Sequence, residues 1–254
     1  RQFIITKMRL IQTKKNSRSY MDHPNAVLYL EHDGKVLLVD KDGNGPQLPV
    51  MNSTGSTKYR FPTQSEVESM GIEWELKNRF NILGHEVIKA HPEIEWPEEW
   101  AWKDECISDD SVHPIARESI YRSIHRLVSK VMILNAEGKV LMGKIERGHF
   151  VGHWTLPGGY MDHDEHPAVG CVREALEEMG ISIILNDDAP IVTQRIFSRE
   201  GISFVSFTYK AEWNGEDSEI MLKENEISDY VWLSPSEAIS RGISGFDLEA
   251  LKHL

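Results

Sequence analysis

The sequence predicts an α/β chain with two domains, a mixed α/β domain over residues 119–254 preceded by a smaller α+β domain over residues 1–118. Three observations lead to this prediction. A chain of 254 residues is long enough to bury two hydrophobic cores. Strand-like apolar runs in the second half flank one strongly amphipathic helix. A single hairpin pattern occurs once in each half, which favours a duplicated architecture.

The amino-acid composition excludes several classes of protein. The formal net charge of −12 argues against a broad nucleic-acid-binding surface, because such a surface needs clustered Lys and Arg. Two cysteines, Cys106 and Cys171, are too few for a disulfide framework and indicate a reducing compartment. No apolar run approaches the roughly 20 residues of a membrane span. We therefore expect a cytoplasmic protein with no nucleic-acid or membrane partner.

The first 21 residues contain six basic residues and no acidic one. This composition is typical of a mitochondrial targeting segment. The stretch IITKMRLIQ also mixes β-branched and charged residues in the way of a half-exposed strand. Both interpretations stay open at this point.

The repeated hairpin organises the chain. Residues 26–38 read AVLYLEHDGKVLL and residues 130–142 read KVMILNAEGKVLM. Each segment is an apolar run, a polar turn with Gly and a second apolar run, which is typical of a hairpin. A polar loop and a Leu-Pro pair follow in both halves, at Leu48-Pro49 and Leu156-Pro157. The alternative is two unrelated hairpins with a chance similarity.

Other elements follow from local patterns. TQSE at 63–66 is a capping box and predicts a helix that ends by Gly84, and apolar spacing predicts a second helix over 113–128. SPSE at 234–237 is another capping box, which opens a short helix before a final one over 245–254. Strands are predicted in the second half at 131–135, 139–144, 191–197, 202–212 and 230–233.

The most informative helix is predicted over residues 164–181, with Asp164 or Glu165 as its N-cap, Pro167 in its first turn and Gly180 just past its end. At 100° per residue its apolar stripe consists of Val172, Ala175, Leu176 and Met179. Its opposite side carries Glu174, Glu177 and Glu178. Carboxylates at these spacings repel each other, so the face is either solvated or neutralised by a bound cation.

The residues around this helix carry a family signature. Gly159 is followed after five residues by Glu165 and after seven more by REALEEMGI at 173–181. This pattern resembles the box of the Nudix hydrolases, with Ala175 at a position where the family usually has a bulkier aliphatic residue. The resemblance implies an α/β/α sandwich with a mixed sheet. It also implies hydrolysis of a nucleoside diphosphate linked to another group, with Mg²⁺ or Mn²⁺ as cofactor.

The resemblance also implies roles for the box residues. Glu174 and Glu178 are one turn apart and are the best metal ligands, with Glu177 next and a backbone carbonyl of Gly158 or Gly159 completing the site. The family pattern implies that Arg173 orients the glutamates and that Glu165 pairs with Arg173.

The general base that deprotonates the attacking water lies either on the helix or on a distant loop. Glu226 is the loop candidate, and an ordinary surface charge is its alternative interpretation. Lys144 and Arg147 precede the box and are predicted to contact substrate phosphate. Phe204 is predicted either to stack on a base or to pack in the core.

Substrate identity stays open at the level of sequence. We favour ADP-ribose or a related nucleotide sugar, with nucleoside triphosphates as the second class, because the box does not select the leaving group. A further alternative is a module that senses a nucleotide without cleaving it. The intact box argues against that alternative.

The first half lacks the glutamate cluster and is predicted to be a degenerate Nudix-like domain. We expect it to serve core burial, homodimerisation or closure over the substrate. Trp96, Trp100 and Trp102 are candidate contacts for that role. The alternative is an unrelated α+β domain.

Overall fold

The structure is a computed structural model that describes residues 26–49, 56–148, 150–198, 201–241 and 245–254. The basic segment at residues 1–21 lies outside the described residues, so its two interpretations stay predictions. Across the described ranges, no helix combines the length and the apolar character needed to cross a membrane. Two large sheets dominate the described chain, one in each half.

The first half is built on a five-stranded sheet with the strand order β5-β6-β1-β2-β7. Its elements are β1 (Val27–His32), β2 (Lys35–Val36), β3 (Val39–Asp40), β4 (Tyr59–Arg60), α1 (Gln64–Ser69), β5 (Trp74–Ile82), β6 (His85–Pro92), β7 (Ala101–Trp102), α2 (Lys103–Ser108) and α3 (Pro114–Ser123). Strands β1 and β6 are parallel, whereas β1–β2 and β5–β6 are antiparallel. The sheet is therefore mixed.

The helix after the first capping box is much shorter than predicted. Thr63 and Glu66 form the capping box, with distances of 3.3 Å from Glu66 N to Thr63 Oγ1 and 2.7 Å from Thr63 N to Glu66 Oε2. Gly71 then adopts a left-handed conformation with φ 73° and ends the helical segment. Residues 74–82 form β5 instead of a continued helix, because they pair with β6 along its length.

The helix predicted over 113–128 is also shorter, since α3 ends at Ser123. Arg126 begins a strand that pairs with a distant strand starting at Ser203, and this non-local pairing overrides the helical spacing of Leu127. The predicted domain division after residue 118 falls inside α3, whose buried face packs in the first core. That division stays a prediction.

The second half contains an eight-stranded sheet. Its elements are β8 (Arg126–Leu134), β9 (Val140–Ile145), β10 (Trp154–Thr155), β11 (Gly158–Tyr160), α4 (Pro167–Met179), β12 (Ile184–Leu185), β13 (Val192–Phe197), β14 (Ser203–Glu212), a 3-10 turn (Asp217–Glu219), β15 (Ile227–Leu233), α5 (Pro235–Arg241) and α6 (Gly245–Leu251). The strand order is β10-β9-β8-β14-β12, with β11 on β8, β13 on β14 and β15 on β9.

Alternation along β8 assigns the two faces of this sheet. Val131 and Ile133 pack with α4, whereas Met132 packs with α5 and α6 on the other face. Helices therefore cover both faces of a mixed sheet, which confirms the predicted α/β/α sandwich.

The two sheets share part of their topology. Four strands of each sheet are paired in the same way. The neighbouring pairs are antiparallel, parallel and antiparallel along β5-β6-β1-β2 in the first half and along β13-β14-β8-β9 in the second. Residues 26–90 thus form a mixed sheet with a helix, as a duplication requires. The duplication itself stays a prediction.

The structure corrects the match between the Leu-Pro pairs. Leu28 N donates to Pro62 O at 2.7 Å, and Val131 N donates to Pro157 O at 3.0 Å. Phe61-Pro62 therefore occupies the place of Leu156-Pro157, and both Phe61 and Leu156 are buried. Leu48 is 54% exposed in a loop, so the match through Leu48-Pro49 is wrong.

Candidate active site

Helix α4 begins and ends at well-defined caps. His166 is the N-cap, and its Nδ1 accepts a hydrogen bond from Ala168 N at 3.2 Å. The prediction of Asp164 or Glu165 as the cap is wrong, because the Glu165 carboxylate is engaged by Arg173. Pro167 occupies the first helical position, as predicted, and Gly180 ends the helix with φ 70°.

The buried face of α4 differs from the predicted stripe. Leu176 is 52% exposed, whereas Glu174 and Glu178 are only 8% and 5% exposed. The apolar residues of the helix that pack in the core are Cys171, Ala175 and Met179, with Val172 partly buried beside them. Strand β11 and the start of β8 lie beside the two glutamates and cover them, which helical periodicity alone did not indicate. Cys171 is thus a packing residue.

Arg173 organises the carboxylates of the box. Its guanidinium donates to both oxygens of Glu165, at 2.8 and 2.9 Å, in a bidentate pair. The same group donates to Glu174 Oε1 at 2.9 Å and to Glu177 Oε1 at 3.3 Å. Hydrogen bonding to Arg173 is the main cause that lowers the pKa of Glu165. Arg173 therefore supplies part of the positive charge on the carboxylate face of α4.

Glu174 and Glu178 lie in a different electrostatic environment. Burial raises the pKa of Glu178 to about 8, even though Gly158 N donates to its Oε2 at 3.0 Å. Burial also raises the pKa of Glu174 and outweighs the opposing effect of Arg173. Two neighbouring carboxyls with raised pKa values in one cleft are typical of a functional site rather than of a structural ion pair.

Two glycines allow backbone to approach these carboxylates. A Cβ atom at Gly159 would lie 2.6 Å from Glu174 Oε1, closer than any real contact. A Cβ atom at Gly158 would lie 2.3 Å from Ser129 O on the paired strand β8, and Gly158 has a φ of 145°. The absence of a side chain at Gly159 therefore lets the backbone approach Glu174, and its absence at Gly158 lets β11 pair closely with β8.

The donor set fits a hard divalent cation. Glu174 and Glu178 with a peptide oxygen of Gly159 offer the oxygen ligands that Mg²⁺ and Mn²⁺ prefer. Burial disfavours the ionised form of both carboxyls, and a bound cation would favour that form. Within the described ranges, no three His, Cys, Asp or Glu side chains already converge on one point. Glu177 is held by Arg173 and Lys223, so it can join the other two only by leaving an ion pair.

A cavity of about 440 Å³ opens above this helix face. One end is acidic and is lined by Glu174, Glu177, Glu178 and Glu226. The other end is apolar and is lined by Val128, Phe150, Tyr160 and Phe204. The rings of Tyr160 and Phe204 are 6.4 Å apart with an interplanar angle of 29°. Phe204 borders the cavity but is only 4% exposed and packs with Val128 and Phe150 in a hydrophobic cluster, which supports the core-packing alternative; its stacking on a base stays a prediction.

Glu226 reaches the cavity from the loop before β15. Its Oε1 is 2.9 Å from Arg147 Nη2, and its Oε2 is 2.8 Å from Lys223 Nζ. Burial alone would raise the pKa of Glu226, but the hydrogen bonds from Lys223 and Arg147 outweigh burial and lower it. Glu226 is therefore held ionised beside the box glutamates.

Of the two predicted phosphate contacts, the structure brings only one to the cavity. Arg147 lines it, whereas Lys144 does not belong to the lining. The Lys144 Nζ atom lies 6.0 Å from the ring of Trp154. Adjacent residues of a strand point to opposite faces, and in β9 the next residue, Ile145, is the one that faces the cavity. The structure therefore corrects the substrate contact predicted for Lys144.

Several residues of this cavity were not predicted from the sequence, among them Lys130, Tyr160 and Lys223. Lys130 is a buried lysine directly before the apolar run VMIL of β8, and its Nζ lies 3.0 Å from Asp247 Oδ1 of α6. A buried lysine is unusual, and its place next to an apolar run was a signal available in the sequence. Lys223 had no comparable local signal, because its contacts depend on how its loop returns to α4.

Residues 124–254 match the family model described as the NUDIX domain. A CTP pyrophosphohydrolase of Escherichia coli (strain K12) is 25% identical over 121 residues, which cover 47% of this chain and 84% of that protein. The nucleoside triphosphatase NudI of Escherichia coli O17:K52:H18 (strain UMN026 / ExPEC) is 26% identical over 117 residues, covering 42% and 81%. A solved MutT protein from Methanosarcina mazei Go1 has 20% identity and a TM-score of 0.45, covering 51% of this chain and 91% of that one.

Proposed function

Because this chain belongs to the NUDIX family and is a hydrolase of phosphoric anhydride bonds, we propose that it cleaves a nucleoside diphosphate linked to another moiety, with ADP-ribose or a nucleotide sugar favoured. One observation carries the proposal. Glu174 and Glu178 are buried side by side with raised pKa values at the acidic end of a cavity whose other end is aromatic. That combination suits a polyanion attached to a flat base.

We infer that Mg²⁺ or Mn²⁺ is held by Glu174 and Glu178, with Glu177 and the carbonyl of Gly159 as further ligands. A bound divalent cation compensates the charge of the carboxylates and polarises the phosphorus under attack. Arg173 keeps Glu174 and Glu177 oriented, and Glu165 in turn fixes Arg173 from the other side.

Glu226 is the proposed general base. Its carboxylate is ionised and lies in the same cavity as the box glutamates, so it can accept a proton from the attacking water. The water oxygen forms a new bond to phosphorus as the P–O bond of the anhydride breaks, and two phosphorylated products leave. Arg147 is positioned to exchange its contact with Glu226 for substrate phosphate, because its guanidinium is largely exposed.

Nucleoside triphosphates are the second candidate substrates. The names of the two E. coli relatives, a CTP pyrophosphohydrolase and a nucleoside triphosphatase, favour this class. A third possibility is a non-catalytic nucleotide sensor, which would bind the same ligands and release no product.

A substrate panel tests these alternatives. Purified protein is incubated with ADP-ribose, UDP-glucose, CTP or ATP, each with Mg²⁺, Mn²⁺ or excess EDTA, and the products are separated by chromatography. We expect two phosphorylated products from ADP-ribose or UDP-glucose, and none with EDTA. Preferential cleavage of CTP or ATP would select the second candidate. Tight binding in calorimetry without product in either metal would select the sensor.

A further inference from the structure

We propose that Lys223 is a positioning residue that fixes the loop carboxylate of Glu226 above α4. The inference rests on the proposed function, in which Glu226 accepts the proton of the attacking water. Lys223 lies in the loop between the 3-10 turn and β15, and its side chain lines the cavity.

The backbone of this loop is anchored to the C-terminal end of α4. Met221 N donates to Met179 O at 2.9 Å, and Lys223 N donates to Glu178 O at 3.0 Å. These bonds satisfy carbonyl groups that a helix end otherwise leaves without partners. The loop is therefore anchored to the backbone of the box glutamate Glu178 and of Met179, the residue after it.

The same loop forms a turn from Lys223 to the start of β15. Glu226 N and Ile227 N both donate to Lys223 O, at 3.2 and 3.1 Å. Asn225 adopts a left-handed conformation with φ 62°, which tightens the turn. Glu146 N donates to Glu226 O at 2.8 Å and ties the far side of the loop to the end of β9. The backbone thus brings the side chains at 223 and 226 to the same side.

The ammonium group of Lys223 contacts carboxylates of both the loop and the helix. Its Nζ lies 2.8 Å from Glu226 Oε2 and 3.4 Å from Glu177 Oε2. A single cation between two carboxylates holds them at a set separation, because it attracts both and screens their repulsion. Glu226 is thereby fixed relative to the helix that carries the proposed metal ligands.

This geometry predicts a specific kinetic effect. Loss of the ammonium lets the Glu226 carboxylate move away from the attacking water, and a misplacement of about 1 Å can cost on the order of 10²-fold in rate. The pair is half-exposed, and such ion pairs contribute little to global stability. We therefore expect a lower kcat with an almost unchanged KM and an almost unchanged melting temperature.

The first experiment compares Lys223→Met, Lys223→Arg and the control Lys252→Met on the best substrate of the panel. Lys252 pairs with Glu249 at the same i,i+3 spacing and lies outside the cavity. We expect Lys223→Met to lower kcat by about 10-fold to 10²-fold, Lys223→Arg to restore most of it and Lys252→Met to have no effect. A raised KM with unchanged kcat for Lys223→Met would instead make Lys223 a direct substrate contact and overturn the proposal.

A double-mutant cycle with Glu226→Gln tests whether Lys223 acts through Glu226. If it does, adding Lys223→Met to Glu226→Gln lowers kcat by less than about 3-fold, because the positioned carboxylate is already absent. Fully additive losses of kcat would show that the two residues act independently and would overturn the positioning role.

Hydrogen exchange separates failure of this inference from failure of the proposed function. If the wild-type protein hydrolyses nothing in the panel, the proposed function is wrong. The amide hydrogen exchange rates of residues 221–228 then still test whether Lys223 holds this loop in place. We expect faster exchange in this segment for Lys223→Met and wild-type exchange for Lys223→Arg and Lys252→Met. Unchanged exchange for Lys223→Met would overturn the inference whatever the activity.

Discussion

The two halves of this protein share the order and direction of four sheet strands, but burial and ion pairing shift the pKa values of two glutamates in the first half and of the two buried glutamates of α4 in opposite directions. In the first half, hydrogen bonds with Arg60 lower the pKa of Glu66 to about 2. Burial would raise the pKa of Glu31, but Lys89 and Lys103 outweigh it and lower the value to about 2. In the second half, burial raises the pKa values of Glu174 and Glu178. In the first half ion pairs outweigh burial, whereas at Glu174 burial outweighs the contact with Arg173, so the ionised form there would be stabilised further by a bound cation.

The corresponding helices explain part of this contrast. Helix α1 has 6 residues where α4 has 13. Both helical segments run into Met-Gly-Ile, at 70–72 and at 179–181, and both glycines are left-handed. Counting back from these glycines, Ser65 and Ser69 stand where the second half has Glu174 and Glu178. A shared sheet topology therefore does not bring metal chemistry with it, because the required carboxylates are absent from the first half at these positions.

The largest expected effect comes from exchanging one carboxylate in the second half. We expect Glu178→Gln to lower kcat by roughly 10²–10³-fold, the scale for losing one electrostatic contact to the transition state. The corresponding change in the first half, Ser69→Ala, should leave kcat unchanged. Initial rates with Mg²⁺ and melting temperatures of both variants check this contrast. Full activity of Glu178→Gln with an intact fold would contradict its assignment as a metal ligand.

The second prediction concerns the free energy of unfolding and tests the lowered pKa of Glu31 in the first half. The lowered pKa of Glu31 means that its ionised form stabilises the folded state, by about 3 kcal/mol at neutral pH for a shift of this size. This stabilisation is present above the unfolded pKa near 4.5 and is lost as the pH falls toward about 2. We expect Glu31→Gln to be less stable than wild type at pH 7 and to approach it as the pH falls.

Urea unfolding between pH 7 and pH 3 measures this difference. The control is Glu137→Gln, whose carboxylate pairs with Lys139 at the exposed end of a hairpin. This control should match wild type across the range. A difference between Glu31→Gln and wild type that stays constant with pH would show that lost packing, not the ion pairs with Lys89 and Lys103, causes the destabilisation.

A third and smaller effect compares the glycines that end the two helical segments. Alanine at Gly71 should cost about 1 kcal/mol, because its left-handed backbone disfavours a side chain and nothing lies within 4 Å of the new Cβ. Alanine at Gly180 should cost about 2–3 kcal/mol, because its Cβ would also lie 2.8 Å from Met221 Cβ. Displacement of the loop that carries Lys223 and Glu226 should lower kcat only in Gly180→Ala. Equal losses of stability in urea unfolding would contradict the difference in packing.

The smallest expected effect is a null result. The double variant Ser65→Glu/Ser69→Glu places two carboxylates on α1. When both substitutions are added to Glu178→Gln in one protein, we expect no more hydrolysis than Glu178→Gln shows alone. Both serines are exposed, so stability should change by less than about 0.5 kcal/mol. Rates with Mn²⁺ test this expectation. Restored turnover would show that the first half keeps a latent catalytic site.

Predictions from sequence succeeded where the signal was local. The capping boxes at Thr63 and Ser234 occur as expected, because each needs only four consecutive residues. Predictions failed where distant strands compete, as at residues 74–82 and 126–128, which joined sheets instead of helices. Met-Gly-Ile occurs at 70–72 and again at 179–181, and this repeat could have been used in the sequence to align the ends of the two helical segments.

The sequence by itself determined the chemistry that α4 can offer. The spacing of Glu174 and Glu178 sets them one turn apart, and Gly180 ends the helix beyond them, because both features depend only on helical geometry and backbone freedom. Only the tertiary structure decided that these carboxyls are buried and that Arg147, Lys223 and Glu226 meet above them. Burial and convergence arise from strand pairing and loop closure between residues far apart in the chain, and no local pattern encodes those contacts.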